Sequence, residues 1–370
     1  MSDKPVIGDG DSKSRAFDQI PVVNISALFG SDETAKRAVA LEIKEAASHV
    51  GFLYVTGHGI APERIDKLLT RASEFFALPL ETKQKYYIGQ SRAHRGYVPT
   101  GEENFYASEG GNDVASVDKK EAFDLSVELS TDDPDHVRGY RMLGPNQWPA
   151  EVPAFRDDVY RYYREVIELS QTMFRGFALA LDLPEDYFQR LTTKPPSQLR
   201  LVHYPEGPNR FAAEEGKSRQ SDWGISAHTD YECFTILHAT LPGLEVLNAA
   251  GDWIDAPPIP GAFVINIGDM LEVLTNGRFI ATPHRVRNVP DERYSFPLFC
   301  AVDFDTLIEP LPEFKGDGRS AYPTYVAGDH LFAETMKTFA YLRALEREGV
   351  IAVPESEKAA AIAFGRKENA

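Results

Sequence analysis

Ala227-His228-Thr229-Asp230-Tyr231, followed by Thr282-Pro283-His284-Arg285-Val286 and then by Arg293-Tyr294-Ser295, decides how this chain folds. In an extended strand, residues i and i+2 point to the same side. His228 and Asp230 can therefore face one point while Thr229 faces away. His284 belongs to a later predicted strand, which a double-sheet fold can bring alongside the first. Two imidazoles and one carboxylate fill one face of a metal and leave the other open, the arrangement suited to non-haem iron(II). Arg293 and Ser295, a short way past His284, add a guanidinium fork and a hydroxyl suited to anchoring a carboxylate beside that metal.

Working outward, the stretch after Pro195-Pro196 consists of short β-rich runs at residues 199–204, 224–228, 235–238, 244–247, 262–267, 279–286 and 294–302. Gly, Pro and Asn-Gly separate them, and Asn276-Gly277 is a hairpin signal. Short strands at such spacing predict a double-sheet jelly roll. Ahead of it come a strand at 20–25, a helix over 33–50, a strand at 51–55 and a helix over 62–77 with Pro62 in its first turn. Apolar residues recurring at three or four positions predict a long amphipathic helix over 153–181, and a last helix spans 329–347. The polar stretch 88–120 is long for a loop, and the strand at 121–126 that follows it favours a substrate lid.

The expected fold class is mostly β with a helical layer: a jelly-roll core wrapped by N-terminal and C-terminal helices. We divide the chain into a flexible leader (1–18), a single domain (19–350) and a tail (351–370). Within the domain, 19–195 is helix-rich, 196–310 is the metal-binding jelly roll and 311–350 is helical.

Of 370 residues, 43% are hydrophobic and 26% charged, as in an ordinary globular domain with a sizeable core. Acids outnumber bases 56 to 39, a net charge of −17, which argues against nucleic acid as a partner. Cys233 and Cys300 form no C-x-x-C pair and read as buried reduced thiols. There is no export signal and no apolar window approaching roughly eighteen residues, so the expectation is a cytoplasmic protein without membrane contact. The expected partner is a small-molecule substrate, with the chain a monomer or weak homo-oligomer. Among the remaining histidines, His49, His94, His136 and His330 read as surface or packing residues and His58 as a turn residue. His203 and His238, in strands near the site, are candidates to support the ligands.

Further motifs carry a resemblance. Ile20-Pro21-Val22-Val23-Asn24, Gly51-Phe52-Leu53-Tyr54-Val55-Thr56-Gly57-His58-Gly59-Ile60, Tyr204-Pro205, Gly243-Leu244-Glu245-Val246 and Asn266-Ile267-Gly268-Asp269 lie in order around the histidines. As a set they resemble the iron(II)/2-oxoglutarate-dependent oxygenase superfamily, in the branch that includes isopenicillin N synthase. The resemblance implies a distorted double-stranded β-helix, with Fe(2+) held by His228, Asp230 and His284. It implies that Arg293, Ser295 and Tyr204 bind the distal carboxylate of 2-oxoglutarate. Where many relatives have an asparagine two residues before that tyrosine, this chain has Val202.

The implied reaction consumes O2 and 2-oxoglutarate, releases succinate and CO2, and hydroxylates a small organic substrate. Desaturation or ring closure uses the same residues. Alternatives are a 2-oxoglutarate-independent oxidase or cyclase of the isopenicillin N synthase type, an ethylene-forming enzyme, and a non-enzymatic organic-acid sensor. Candidate substrate-binding residues are Arg95, Tyr97, Glu102, Phe123, Asp124, Tyr231 and Phe304. Their mixture of charges favours a small polar substrate.

Overall fold

A computed structural model describes residues 16–103, 120–206, 223–287, 290–315 and 322–357. The helix-rich part comprises β1 (Val22–Asn24), α1 (Glu33–His49), β2 (Phe52–Thr56), α2 (Pro62–Phe76) and α3 (Leu80–Gln84). It continues through β3 (Gly96–Val98), β4 (Glu121–Leu125), α4 (Pro134–Arg138) and α5 (Phe155–Ala180). The strands β5 (Gln198–Tyr204), β6 (Trp223–His228), β7 (Phe234–Ala239), β8 (Leu244–Leu247), β9 (Trp253–Asp255) and β10 (Phe263–Ile267) follow. After α6 (Asp269–Leu274) come β11 (His284–Arg287) and β12 (Arg293–Cys300). A small ribbon of β13 (Leu307–Ile308) and β14 (Tyr325–Val326) then precedes α7 (Ala327–Thr338) and α8 (Ala340–Arg347).

Two sheets face each other: a large one ordered β1-β2-β10-β7-β12-β5-β4-β3, and a small one ordered β6-β11-β8-β9. Strand alternation splits the large sheet chemically. Leu199, Leu201, Phe296 and Leu298 turn outward into the core beneath the helices. There Phe174 and Phe177 of α5 meet Phe234 edge-on at 4.9 and 5.1 Å between centroids. The intervening residues Val202 and Tyr204, with Phe52, Tyr54 and Val264, turn inward and form a second apolar cluster with Leu244 and Val246 of the small sheet. The residues between the sheets are the ones that can line an active site. Cys233 and Cys300 are both buried and unbridged, and burial pushes the Cys233 thiol up.

The expected jelly roll with its helical wrapping is what the chain forms, and most elements begin and end within a residue or two of expectation. Three local expectations are corrected. Asn276-Gly277 makes no hairpin: the pair takes positive φ (51° and 75°) and closes the C-terminus of α6. The strand expected over 279–286 shortens to β11 for the same reason. The last helix breaks at Phe339, whose φ of −92° and ψ of 129° are extended. Of the expected lid, residues 104–119 lie outside the described residues; the flanks are tied down, with β3 paired to β4 and Glu103 bridged to Phe339. Residues 1–15 of the leader and 358–370 of the tail also lie outside the described residues. Ile351 and Glu357 are buried, so the chain past α8 starts out packed against the domain.

Candidate active site

His228 and His284 are cross-strand partners in the β6–β11 ladder, and their rings sit 4.4 Å apart. Asp230 follows β6 in the turn before β7, and its Oδ1 lies 3.5 Å from His228 Nε2 and 3.6 Å from His284 Nε2. The three ligand-type atoms are all within 4.8 Å of one another. Each side chain is also held from behind. His228 Nδ1 donates to the Ser226 carbonyl at 2.7 Å, and His284 Nδ1 to the Thr282 carbonyl at 3.3 Å. Both imidazoles thereby present Nε2 to the shared centre, as metal-binding histidines require. The edge of Phe52 packs on His284 at 5.3 Å. Asp230 Oδ2 accepts from Thr235 Oγ1 and from Asn266 Nδ2 at 2.8 Å, leaving Oδ1 to the imidazoles. Burial alone would raise this carboxyl, but the two histidines outweigh it and hold it well below its ordinary range.

Arg293 and Tyr204 are cross-strand partners in the β12–β5 ladder, with Ser295 opposite Val202 on the same inward face. The Arg293 guanidinium lies 4.7 Å from the centre of the Tyr204 ring. Its Nε donates to the Leu241 carbonyl at 3.1 Å. Arg293 is 1% exposed, and its Nη1 and the Tyr204 hydroxyl are both buried without a hydrogen-bond partner. Leaving buried donors unmade costs roughly 1–3 kcal/mol each, more for a charged group. A guanidinium edge and a hydroxyl left unpartnered on the inward face of the large sheet suit a carboxylate, so the side chains present fit both a metal and a dicarboxylic acid. Val202 is buried and apolar, and supplies no polar contact here.

Comparison with known proteins agrees. Residues 20–151 match the family model for the non-haem dioxygenase in morphine synthesis N-terminal region, and residues 195–302 match the 2OG-Fe(II) oxygenase superfamily. The 2-oxoglutarate-Fe(II) type oxidoreductase hxnY of Emericella nidulans is 32% identical over 335 residues, covering 89% of this chain and 93% of that protein. The chain belongs to the 2OG-Fe(II) oxygenase superfamily. Homoarginine-6-hydroxylase 2-ODD-C23.1 of Arabidopsis thaliana is 33% identical, covering 88% of this chain and 98% of that protein. Among solved structures, a full-length Neurospora crassa protein in complex with alpha-KG and thymine superposes with a TM-score of 0.73 at 26% identity, over 88% of this chain and 96% of that one. This oxygenase therefore uses Fe(2+), 2-oxoglutarate and O2 to oxidise an organic substrate, releasing succinate and CO2. The non-enzymatic sensor reading gives way to that one.

The expected substrate contacts of this oxygenase fare unevenly. Arg95 is fully buried, and its Nη groups donate to the His94 and Met142 carbonyls; burial brings its guanidinium down to about 10. Tyr97 donates to Glu121 at 2.6 Å, and Phe123 packs into Phe75 and Phe155 on the helix-facing side. Glu102 accepts from the Tyr87 hydroxyl and the Tyr341 amide, stapling its loop to α8. Phe304 stacks on Tyr140 at 4.4 Å and against Gly328 of α7. In all five, side-chain groups already serve contacts within the fold, although Arg95 Nε is buried without a partner. His203, held between Glu121 and Glu292, and His238, stacked on Phe296, also lie on the helix side rather than behind the ligands.

Asp124 and Tyr231 stay near the site. Asp124 is fully buried and accepts both Nε and Nη2 of Arg200, at 2.7 and 2.6 Å. Arg200 shares the inward face of β5 with Val202 and Tyr204, and also donates to Glu103, which Lys120 bridges at 3.1 Å. Sequence reading missed Arg200, although a charge at an inward strand position, four residues before Tyr204, was a signal for it. It also missed Glu232, two residues past Asp230. The Glu232 carboxyl is pushed up to about 8, first by burial and then by Asp230, with Arg200 offsetting this only in part. Among the described residues no cation forms an ion pair with it.

Proposed function

We propose that His228, Asp230 and His284 hold the iron, and that Arg293, Ser295 and Tyr204 grip the distal carboxylate of 2-oxoglutarate. We further propose that the substrate is a small polar molecule with a cationic nitrogen received by Glu232. The observation that carries the metal and cosubstrate assignment is the pairing of two preset imidazoles on the small sheet with an orphaned Arg293–Tyr204 wall on the inward face of the large one. Bound iron would supply the oxygen chemistry that couples decarboxylation of 2-oxoglutarate to oxidation of the substrate. The chain's own groups then orient and exclude. Nδ1–H bonds to the Ser226 and Thr282 carbonyls keep the histidines in one tautomer. Thr235 and Asn266 fix the Asp230 carboxylate, and the apolar wall of Phe52 and Val264 keeps water from the space between the sheets.

At the substrate end, Arg200, Asp124, Glu103 and Lys120 balance one another's charge. Among the described residues Glu232 then has no ion-pair partner, and a bound guanidinium or ammonium group would draw its raised carboxyl back to the charged form and match it. Homoarginine, which the Arabidopsis relative hydroxylates by its name, is of that class. The test is a panel of basic, neutral and acidic small molecules assayed for stimulated succinate release. Basic compounds should stimulate it most, and Glu232→Gln should raise their KM about tenfold or more while leaving uncoupled 2-oxoglutarate turnover unchanged. Stimulation by neutral or acidic compounds alone would refute the substrate class. His284→Ala should lower succinate release more than about a hundredfold; retained activity would refute the metal assignment.

A further inference from the structure

Away from the triad, a second group of metal-ligating side chains meets where the C-terminal segment returns to α7. His330 and Glu334 stand one turn apart on α7, on one face of the helix. Glu357 arrives from the segment after α8. The side chains of His330, Glu334 and Glu357 are 17%, 16% and 9% exposed. One ligand-type atom from each lies within 4.8 Å of the other two, and His330 Nδ1 is 3.0 Å from Glu357 Oε2. The other Glu357 oxygen, Oε1, is buried without any partner.

Two carboxylates held this close and this far from water repel each other and lose hydration. Lys337, itself 66% exposed, pairs with Glu334 from the rim and supplies one charge. The orphaned Oε1 of Glu357 has nothing to accept from. Around a first-row divalent ion, ligands at about 2.0–2.2 Å stand roughly 3–4 Å from one another, which small side-chain rotations reach from here. One imidazole with two carboxylates selects a borderline ion over calcium, which takes oxygen ligands alone.

We infer that His330, Glu334 and Glu357 form a second divalent-cation site, of zinc or manganese type, that clips the C-terminal segment onto α7. Ser356 already helps hold that segment, donating to Asp329 at 2.7 Å. The site abuts the catalytic loop: the His330 ring lies 4.3 Å from Tyr325 and 6.2 Å from Tyr231, the residue after Asp230. Occupancy would brace the loop from behind.

The test is equilibrium dialysis of the metal-free full-length chain against Zn(2+) and Co(2+), with bound metal counted by mass spectrometry and Co(2+) followed by visible absorption. The wild type should bind two equivalents. One should survive in His228→Ala/His284→Ala, and one should be lost in His330→Ala and in Glu357→Gln. Glu357→Gln keeps the side-chain shape, so it decides the matter if circular dichroism shows that His330→Ala misfolds. A wild type that binds one equivalent, or a second equivalent retained in Glu357→Gln, would overturn the proposal.

Discussion

At the Asp230 carboxylate, one oxygen is held by Thr235 and Asn266 while the other faces two imidazoles. Groups that orient a ligand in this way typically contribute 10–100-fold in metal affinity. Asn266→Ala should therefore weaken iron(II) binding by about 10–100-fold, read by anaerobic calorimetry, while the fold persists. Arg293 presents a planar fork that lysine cannot reproduce. Arg293→Lys should raise the KM for 2-oxoglutarate by about tenfold or more, with a smaller change in kcat. These residues were legible because their chemistry is carried by type and spacing: His228, Asp230 and His284 by strand parity, Arg293 and Ser295 by their place after the second histidine. Arg95, Tyr97 and Glu102 were not, because sequence shows that a polar residue lies in a loop but not which carbonyl or hydroxyl it already serves.

Among the elements, the turn from β10 into α6 matters most to the site. Gly268 sits where a Cβ would come within 2.2 Å of the Glu232 carbonyl and 3.0 Å of the Asp230 carbonyl. Backbone atoms have nowhere to retreat, and the Asp269 amide donates to the Asp230 carbonyl at 2.8 Å across the same contact. Gly268→Ala should push the ligand loop away from α6, lowering the melting temperature and weakening iron(II) binding together. An unchanged melting temperature in thermal unfolding would contradict that packing. Helices α1, α2 and α5 were legible from their apolar stripes, since their cores are built locally. The stretch 276–286 misled because Asn-Gly serves a helix C-terminus as readily as a hairpin, and only the docking of α6 on the ligand loop distinguishes them. The break at Phe339 has a similar origin. Its backbone bridges to Glu103, a contact between segments far apart in sequence.

Across the whole molecule, the large sheet carries two buried polar systems, one on each face. On the helix side, Lys83, Tyr97 and His203 converge on Glu121. On the inward side, Arg200 and Lys120 converge on Glu103. Burial alone would raise the Glu103 carboxyl, but the two cations outweigh it and bring it down to about 2 from its ordinary 4.5. A depressed carboxyl stabilises the fold fully above its unfolded value and loses that contribution as the pH falls through the folded one. Stability should therefore fall between about pH 4.5 and pH 2, and Glu103→Gln should flatten that acid limb while lowering stability at neutral pH. Denaturant titrations at several pH values measure it. Both networks join strands and loops remote in sequence, which is why the chain announces a jelly roll but not the wiring that stiffens it.

Everything proposed for this site rests on iron held by His228, Asp230 and His284 with 2-oxoglutarate held by Arg293 beside it. Its most direct measurement is the visible charge-transfer absorption that appears when 2-oxoglutarate chelates iron(II) under anaerobic conditions. The wild type should develop the band at one equivalent of iron, Arg293→Ala should require much more 2-oxoglutarate, and His284→Ala should fail to develop it. A full-strength band in His284→Ala, or an unchanged 2-oxoglutarate requirement in Arg293→Ala, would mean that the iron and the acid are held elsewhere.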